Sequence, residues 1–353
     1  MISKKERDQI LDRTLWTDEF NNFIGTKFNT MKRFGLEGCE SMIAGMKTAI
    51  DTFKENGGEK AIIGMPHRGR LSMLAHVVKK PLETIFAEFQ GVLPSEGEHE
   101  SHSGDVKYHL GTSYTQKLDN GTEFTVEILA NPSHLECINP VVMGRCRAEN
   151  HIKNTRGGVT DRLKLIPILI HGDASFAGQG VVYESLQMQD LKNYTVGGTM
   201  HVICNNQVGF TTTPKKGRSS NYSSDLAKTI GAPIFHVNAN SVEDVCFVFK
   251  VAAEYRQKFQ KDVVIDLIGY RKFGHNELDQ PSFTNPMMYQ KVSQMTPVAR
   301  IYEQQLLDQG HLTQAELDQR KATISKHLED AYVKSKSLTY NLEDWKTEEW
   351  GSI

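Results

Sequence analysis

The chain has 353 residues, with 41 Lys and Arg against 43 Asp and Glu, for a formal net charge of −2 with histidine neutral. That length suits one large domain or two modest ones, and 39% hydrophobic with 24% charged residues fits a water-soluble globular protein. The balanced charge and the lack of a long basic run argue against nucleic acid as a partner, and no apolar stretch approaches the roughly 20 residues of a membrane span.

Five cysteines (Cys39, Cys137, Cys146, Cys204 and Cys246) form an odd set without a C-x-x-C pair. They argue for a reducing compartment and against a disulfide framework or a zinc ribbon. The N-terminus, MISKKERDQILDRTLW, has no secretory apolar core, and its acidic residues disfavour a mitochondrial transit peptide. A mature protein, a bacterial protein or an excised fragment would all share these features.

Residues 1–58 read as helical. Ile10, Leu11, Leu15, Phe20 and Phe23 recur near the helical period, CESMIAGMKTAIDTFKE repeats the pattern, and Gly57-Gly58 is a natural stop. From 59 to 290 short apolar runs alternate with helical patterns. The runs are AIIGM (61–65), FTVEILA (124–130), LKLIPILI (163–170), MHVICNN (200–206), PIFHV (233–237) and VVIDLIGY (263–270). From 163 onward they recur at roughly the 30-residue span of a βαβ unit, so the spacing predicts an α/β fold with a doubly wound, mostly parallel sheet. The polar stretch 90–105 reads as a solvated loop, with His99 and His102 as an alternative metal-ligand pair. PKKGR (214–218) reads as a solvated loop rather than a phosphate trap. Residues 291–353 turn helical again.

Ligands of parallel α/β sheets collect outside the carboxyl ends of the strands. Three such ends carry polar groups unsuited to a dry core: LIHGD with Asp173, ICNNQVGF with Asn205 and Asn206, and LIGYRKFGHNE with His275. A carboxylate and an amide oxygen make a hard-ligand pair suited to Mg²⁺, and Gly172, Gly178 and Gly180 leave room for a phosphate. Equally, Asp173 could cap a helix and Asn205-Asn206 could form a turn. GMPHRGRL (64–71) places His67, Arg68 and Arg70 after a strand, where arginine can fork an anion or simply sit on the surface. VKYHLGTS and NPSHLE add His109, Ser113 and His134 in turn-like contexts. There is no Walker motif, no G-x-G-x-x-G at a strand–helix junction and no G-x-S-x-G elbow.

GD at 172–173 followed by NN at 205–206 resembles the thiamine-diphosphate motif of transketolase and 2-oxo acid dehydrogenase enzymes. KRFGLEGCE (32–40), GMPHRGRL, GDVKYHLG (104–111), ANPSHLE, HGDASFAGQG, NNQVGFTT and GHNELDQPSFTNPMMYQK (274–291) narrow it. Together they resemble the E1 component of 2-oxoglutarate dehydrogenase, from about residue 5 to the end; the relative acting on 2-oxoadipate is the nearest alternative, and a non-catalytic cofactor-binding or partner-docking fragment is another.

The resemblance implies the thiamine-diphosphate-binding fold, with a helical segment at 1–58, the diphosphate- and Mg-binding α/β domain at 59–290 and a helical segment at 291–353. It implies thiamine diphosphate and Mg²⁺ as cofactors, with Asp173, Asn206 and the Val208 carbonyl on the metal and Arg68, Gly172 and Ala174 at the cofactor. His67, His109 and Ser113 would surround the substrate, with His134 in support. The implied reaction is oxidative decarboxylation of 2-oxoglutarate, with succinyl transfer to the lipoyl group of E2 in the tricarboxylic acid cycle. Implied partners are a second copy in a homodimer, the E2 dihydrolipoyl succinyltransferase and the E3 dihydrolipoyl dehydrogenase, in the mitochondrial matrix or a bacterial cytoplasm. Family members continue into a pyrimidine-binding domain carrying the glutamate that activates the cofactor. This sequence stops at Ile353, so the expectation is a chain with only the diphosphate half of the site.

Overall fold

The computed structural model describes residues 2–91, 109–118, 121–155 and 161–338. His99, His102 and the tail DWKTEEWGSI lie outside the described residues. Seven strands form one sheet: β1 (Lys60–Gly64), β2 (Thr112–Lys117), β3 (Glu123–Ile128), β4 (Leu165–Gly172), β5 (Met200–Asn205), β6 (Ile234–Asn238) and β7 (Val263–Ile268). Their order is β2-β3-β1-β4-β5-β7-β6. Every neighbouring pair is parallel except β2 with β3.

All six apolar runs became strands. Strand β2 is the addition: its sequence TSYTQK alternates half-buried and exposed residues and has no apolar run. As an antiparallel edge it needs only a short connection to β3 and one covered face. Ser113 therefore sits on a strand opposite Glu127, not in a turn.

Successive strand residues point to opposite faces, which is why the buried strands are mostly apolar on both. Ile63, Ile168, Val202 and Ile265 join the helices Ser41–Glu55 and Val242–Phe259 in the main core. Ile62 and Leu169 pack on the other face with Ile138 and Val142, and Ile203 and Val264 with Phe176, Val182 and Leu186. The sheet is thus wound on both faces. Helices Lys4–Lys27 and Gln314–Ser335 belong to the main core through Ile10, Leu11, Leu317, Ile324 and Leu328. Arg320 also pairs with Asp8 at 2.8 Å and Asp12 at 2.7 Å. Both terminal segments therefore form one layer. Among the described residues no helix is long and apolar enough to cross a membrane.

Strand β3 lies on one side of β1 and β4 on the other. Connections leaving the middle of the sheet in opposite directions open a crevice at the strands' carboxyl ends.

Candidate active site

The crevice gathers residues from four strand ends. His67 and Arg68 follow β1, Asp173 follows β4, Asn206 and Val208 follow β5, and Arg271 and His275 follow β7. His67, Arg68, Gly172, Asp173, Ala174, Asn206 and Val208 all line one cavity of about 90 Å³ with Arg271 and His275. The pairing Gly172↔Cys204 makes the ends carrying Asp173 and Asn206 direct neighbours.

Asp173 is not the helix cap. Gly172, extended at ψ 151°, holds the cap position of the helix Asp173–Gly178, and Asp173 is its first residue. Burial raises the Asp173 carboxyl above its usual range against the pull of Arg218 and of the backbone N–H groups of residues 173 and 174. Arg218 Nη1 lies 3.5 Å from Asp173 Oδ2, with side-chain exposures of 14% and 4%. PKKGR is therefore not wholly solvated: Lys215 and Lys216 are exposed, but its arginine turns inward.

Asn205 and Asn206 diverge. Asn205 Nδ2 donates to the buried Asp266 at 2.9 Å, and Asp266 also holds His236 Nδ1 at 2.8 Å. Asn206 lines the cavity instead, and its Oδ1 accepts the Val208 N–H at 3.3 Å. Gln207 takes a left-handed φ of 62° between them. The loop then presses on the β4 end: a Cβ on Gly209 would lie 2.5 Å from Ala174 Cβ. Glycine there permits the close approach.

Arg68 donates to the carbonyls of Gly35, at 3.1 Å, and His275, at 2.5 Å, so it ties two loops together beside the cavity. Glu277 accepts the backbone N–H groups of Arg33, Phe34 and Gly35 at 2.7, 3.2 and 2.8 Å, closing the same junction. His67 packs on Phe34 in a tilted arrangement with ring centroids 4.2 Å apart and meets His275 edge-on at 5.6 Å. Burial, then the charge of Arg68, push the His67 imidazole down to about 3. At neutral pH it is an uncharged ring.

The other residues suggested by the sequence stand apart from the cavity lining. His109 is half-buried and acts on the electrostatics of His67, while Ser113 and His134 are exposed. Arg70 is a clamp rather than an anion fork. Wholly buried, it donates to the carbonyls of Met65, His109, Leu110 and Leu129.

Glu136, two residues beyond His134, was not singled out from the sequence, yet it organises the ground beneath Asp173. Its carboxylate accepts Ser175 Oγ at 2.5 Å and Asn139 Nδ2 at 2.9 Å, and meets His171 Nδ1 at 2.7 Å. His171 Nε2 continues to His201 Nδ1 at 3.0 Å, and His201 Nε2 to Asp262 at 3.4 Å. Burial alone would raise the Glu136 carboxyl; these partners more than offset it and hold it below its usual range. No local sequence signal marked it, because its partners His171 and Ser175 lie 35 and 39 residues further along the chain.

Comparison with known proteins bears on what such a crevice serves. Residues 13–341 match the family model described as "Dehydrogenase E1 component". The chain belongs to the dehydrogenase E1 component family. It is 49% identical over 350 residues to the mitochondrial 2-oxoglutarate dehydrogenase of Dictyostelium discoideum, covering 99% of this chain and 34% of that protein. It is also 49% identical over 345 residues to the mitochondrial 2-oxoglutarate dehydrogenase of Saccharomyces cerevisiae, covering 98% and 34%. A mitochondrial 2-oxoglutarate dehydrogenase-like protein of Xenopus laevis is 45% identical over 349 residues, covering 98% and 34%. The chain thus spans about a third of the length of these E1 relatives.

Proposed function

We propose that this chain binds thiamine diphosphate through Mg²⁺ and supplies the diphosphate-binding part of a site for oxidative decarboxylation of 2-oxoglutarate. The observation that carries the reading is the arrival of the Asp173 carboxylate and the Asn206 amide, from adjacent strand ends, at one cavity with the Val208 backbone. The donor set fits the ion: all its oxygens are hard, as Mg²⁺ requires. The Val208 carbonyl accepts no backbone hydrogen bond among the described residues. Asp173, Asn206 and the Val208 carbonyl would hold the metal; Arg68 and the backbone of Gly172 and Ala174 would meet the diphosphate. The bound cofactor supplies the electron sink for loss of CO₂.

The chain's own contribution is orientation and charge. The uncharged His67 ring offers a substrate carboxylate one N–H donor, and an anion placed beside it raises its proton affinity. His275 is likewise held down by burial, then by Arg68 and Arg271, so both rings favour the neutral form at neutral pH. Pro66, Leu135 and Phe210 give the cavity apolar walls. His109 acts on the electrostatics of His67 without lining the cavity; it, Ser113 and His134 keep a substrate role on the family resemblance.

The relatives' names support 2-oxoglutarate as substrate and a mitochondrial setting; succinyl transfer to E2 and E3 as the further partner rest on the family resemblance. The domain reading is a helical segment at 1–58, the cofactor domain at 59–290 and a helical segment at 291–353, with the site completed in a homodimer. The test is calorimetry with Mg²⁺ and thiamine diphosphate on the wild type and Asp173→Ala. Binding is expected in the first and its loss, by at least about tenfold, in the second, since a metal-bound carboxylate is worth well over 1.4 kcal/mol. Equal binding in both would overturn the assignment.

A further inference from the structure

Three arginines stand at the crevice, and two of them already give donors to backbone carbonyls. Arg68 is held by two carbonyls, and Arg271 donates to Phe210 O at 2.9 Å, Phe273 O at 3.1 Å and Tyr289 Oη at 3.2 Å. Arg218 differs. Its one charged partner is Asp173, at 3.5 Å, and its buried Nε has no acceptor among the described residues. A buried guanidinium N–H without an acceptor is costly, so the side chain is poised for a better anion. The loop that carries Arg218 is anchored at the site. Gly209 and Thr212 exchange two hydrogen bonds at 2.9 and 2.8 Å, the Arg218 N–H donates to Pro214 O at 3.1 Å, and Gly209 abuts Ala174. The arginine is thus carried on the same loop that supplies Asn206 and Val208.

We propose that Arg218 is an exchangeable counter-ion of the site, paired with Asp173 until a divalent cation takes that carboxylate and then paired with the cofactor's diphosphate. This rests on the assignment of Asp173 to the metal. The reason is charge. Two cations cannot share one buried carboxylate without repulsion, so metal coordination works against the Arg218 pair. A diphosphate carries more negative charge than one divalent ion offsets, and an arginine fork matches its geometry. Arg218 therefore opposes the metal alone and favours the metal together with the diphosphate.

Removing the guanidinium then gives effects of opposite sign. In Arg218→Gln, affinity for Mn²⁺ alone, read from the free-ion electron paramagnetic resonance signal, is expected to rise about threefold, the scale of a partly exposed ion pair. Affinity for thiamine diphosphate at saturating Mn²⁺ is expected to fall about tenfold, the scale of a charge-assisted bond to phosphate. Arg218→Lys, which keeps the charge, should recover most of the cofactor affinity, and all three proteins should unfold cooperatively without ligand. Shifts of the same sign, no shift in either affinity, or a lysine variant as weak as the glutamine variant would overturn the proposal. Asp173→Ala in the same assay separates the two readings: if it still binds Mn²⁺ like wild type, the metal assignment itself has failed.

Discussion

At the scale of single residues, burial decides more than residue type. His67 and His76 are both held down to about 3, one at the crevice and one in the core. His76 meets Phe20 edge-on at 5.1 Å and Trp16 at 6.5 Å, and its Nε2 has no hydrogen-bond partner among the described residues. The folded pKa lies below the unfolded value of about 6.5, so the fold binds fewer protons than the unfolded chain below that pH. Its stabilising effect is complete above pH 6.5 and is lost as pH falls toward 3. For His76 alone the loss by pH 5 is about 2 kcal/mol. His76→Leu should therefore lose about that much less stability than wild type between pH 7.5 and pH 5 in urea unfolding. Parallel losses in the two proteins would show that His76 is not a source of the acid sensitivity.

The same scale shows which part of the site the sequence could reveal. Asp173, Asn206 and Arg68 stood out because a strand end followed by an uncompensated polar group is a local pattern. That pattern also allowed a cap, a turn or a surface arginine, and the family resemblance chose between them. Arg218 and Glu136 did not stand out. Arg218 sits 45 positions from Asp173, in a word whose two lysines are solvated. Glu136 is made a hub by His171 and Ser175, which the chain reaches 35 and 39 residues later. Long-range pairing leaves no periodic mark.

At the scale of elements the sequence was more generous, because buried parallel strands must be apolar and helices must carry a stripe. The edge strand β2 escaped for the same reason: it lacks the run that burial on two faces demands. Helix pairing is less visible, and here a glycine fixes it. Helices Ser41–Glu55 and Val242–Phe259 touch at Gly45, where an added Cβ would lie 2.7 Å from the buried Phe249 ring. An aromatic ring in a full core cannot swing aside, so any side chain must part the helices. Gly45→Ala gains about 1 kcal/mol of helix propensity and meets an overpacking cost of about 1–3 kcal/mol. Gly45→Val loses most of that gain and adds volume, so it should destabilise by about 2 kcal/mol or more. Denaturant titration of the two variants checks this; a valine variant as stable as wild type would mean that the helices are free to separate there.

At the scale of the whole molecule the carboxyl edge of the sheet has a second property. The segment after β7 exposes Leu278, Phe283, Met287 and Met295, with Phe283 at 87% and Met287 at 80%. Phe210, from the loop after β5, is exposed at the same edge. A second cavity of about 780 Å³, lined by Met287, Met288, Tyr270 and Asn206, runs from this segment toward the candidate metal ligands. Large apolar side chains gathered around a crevice mark a surface that other protein covers. In relatives of which this chain spans 34%, there is ample further chain to do so. Handled alone, the chain should therefore associate with itself through this edge as its concentration rises. The double variant Phe283→Ser with Met287→Ser removes two of the most exposed apolar groups while leaving Asp173, Asn206 and Arg218 untouched. Sedimentation velocity should show the wild type shifting to larger species at concentrations where the variant remains monomeric. If both sediment alike across the range, the edge is not the sticky surface, and the apolar segment serves the crevice alone.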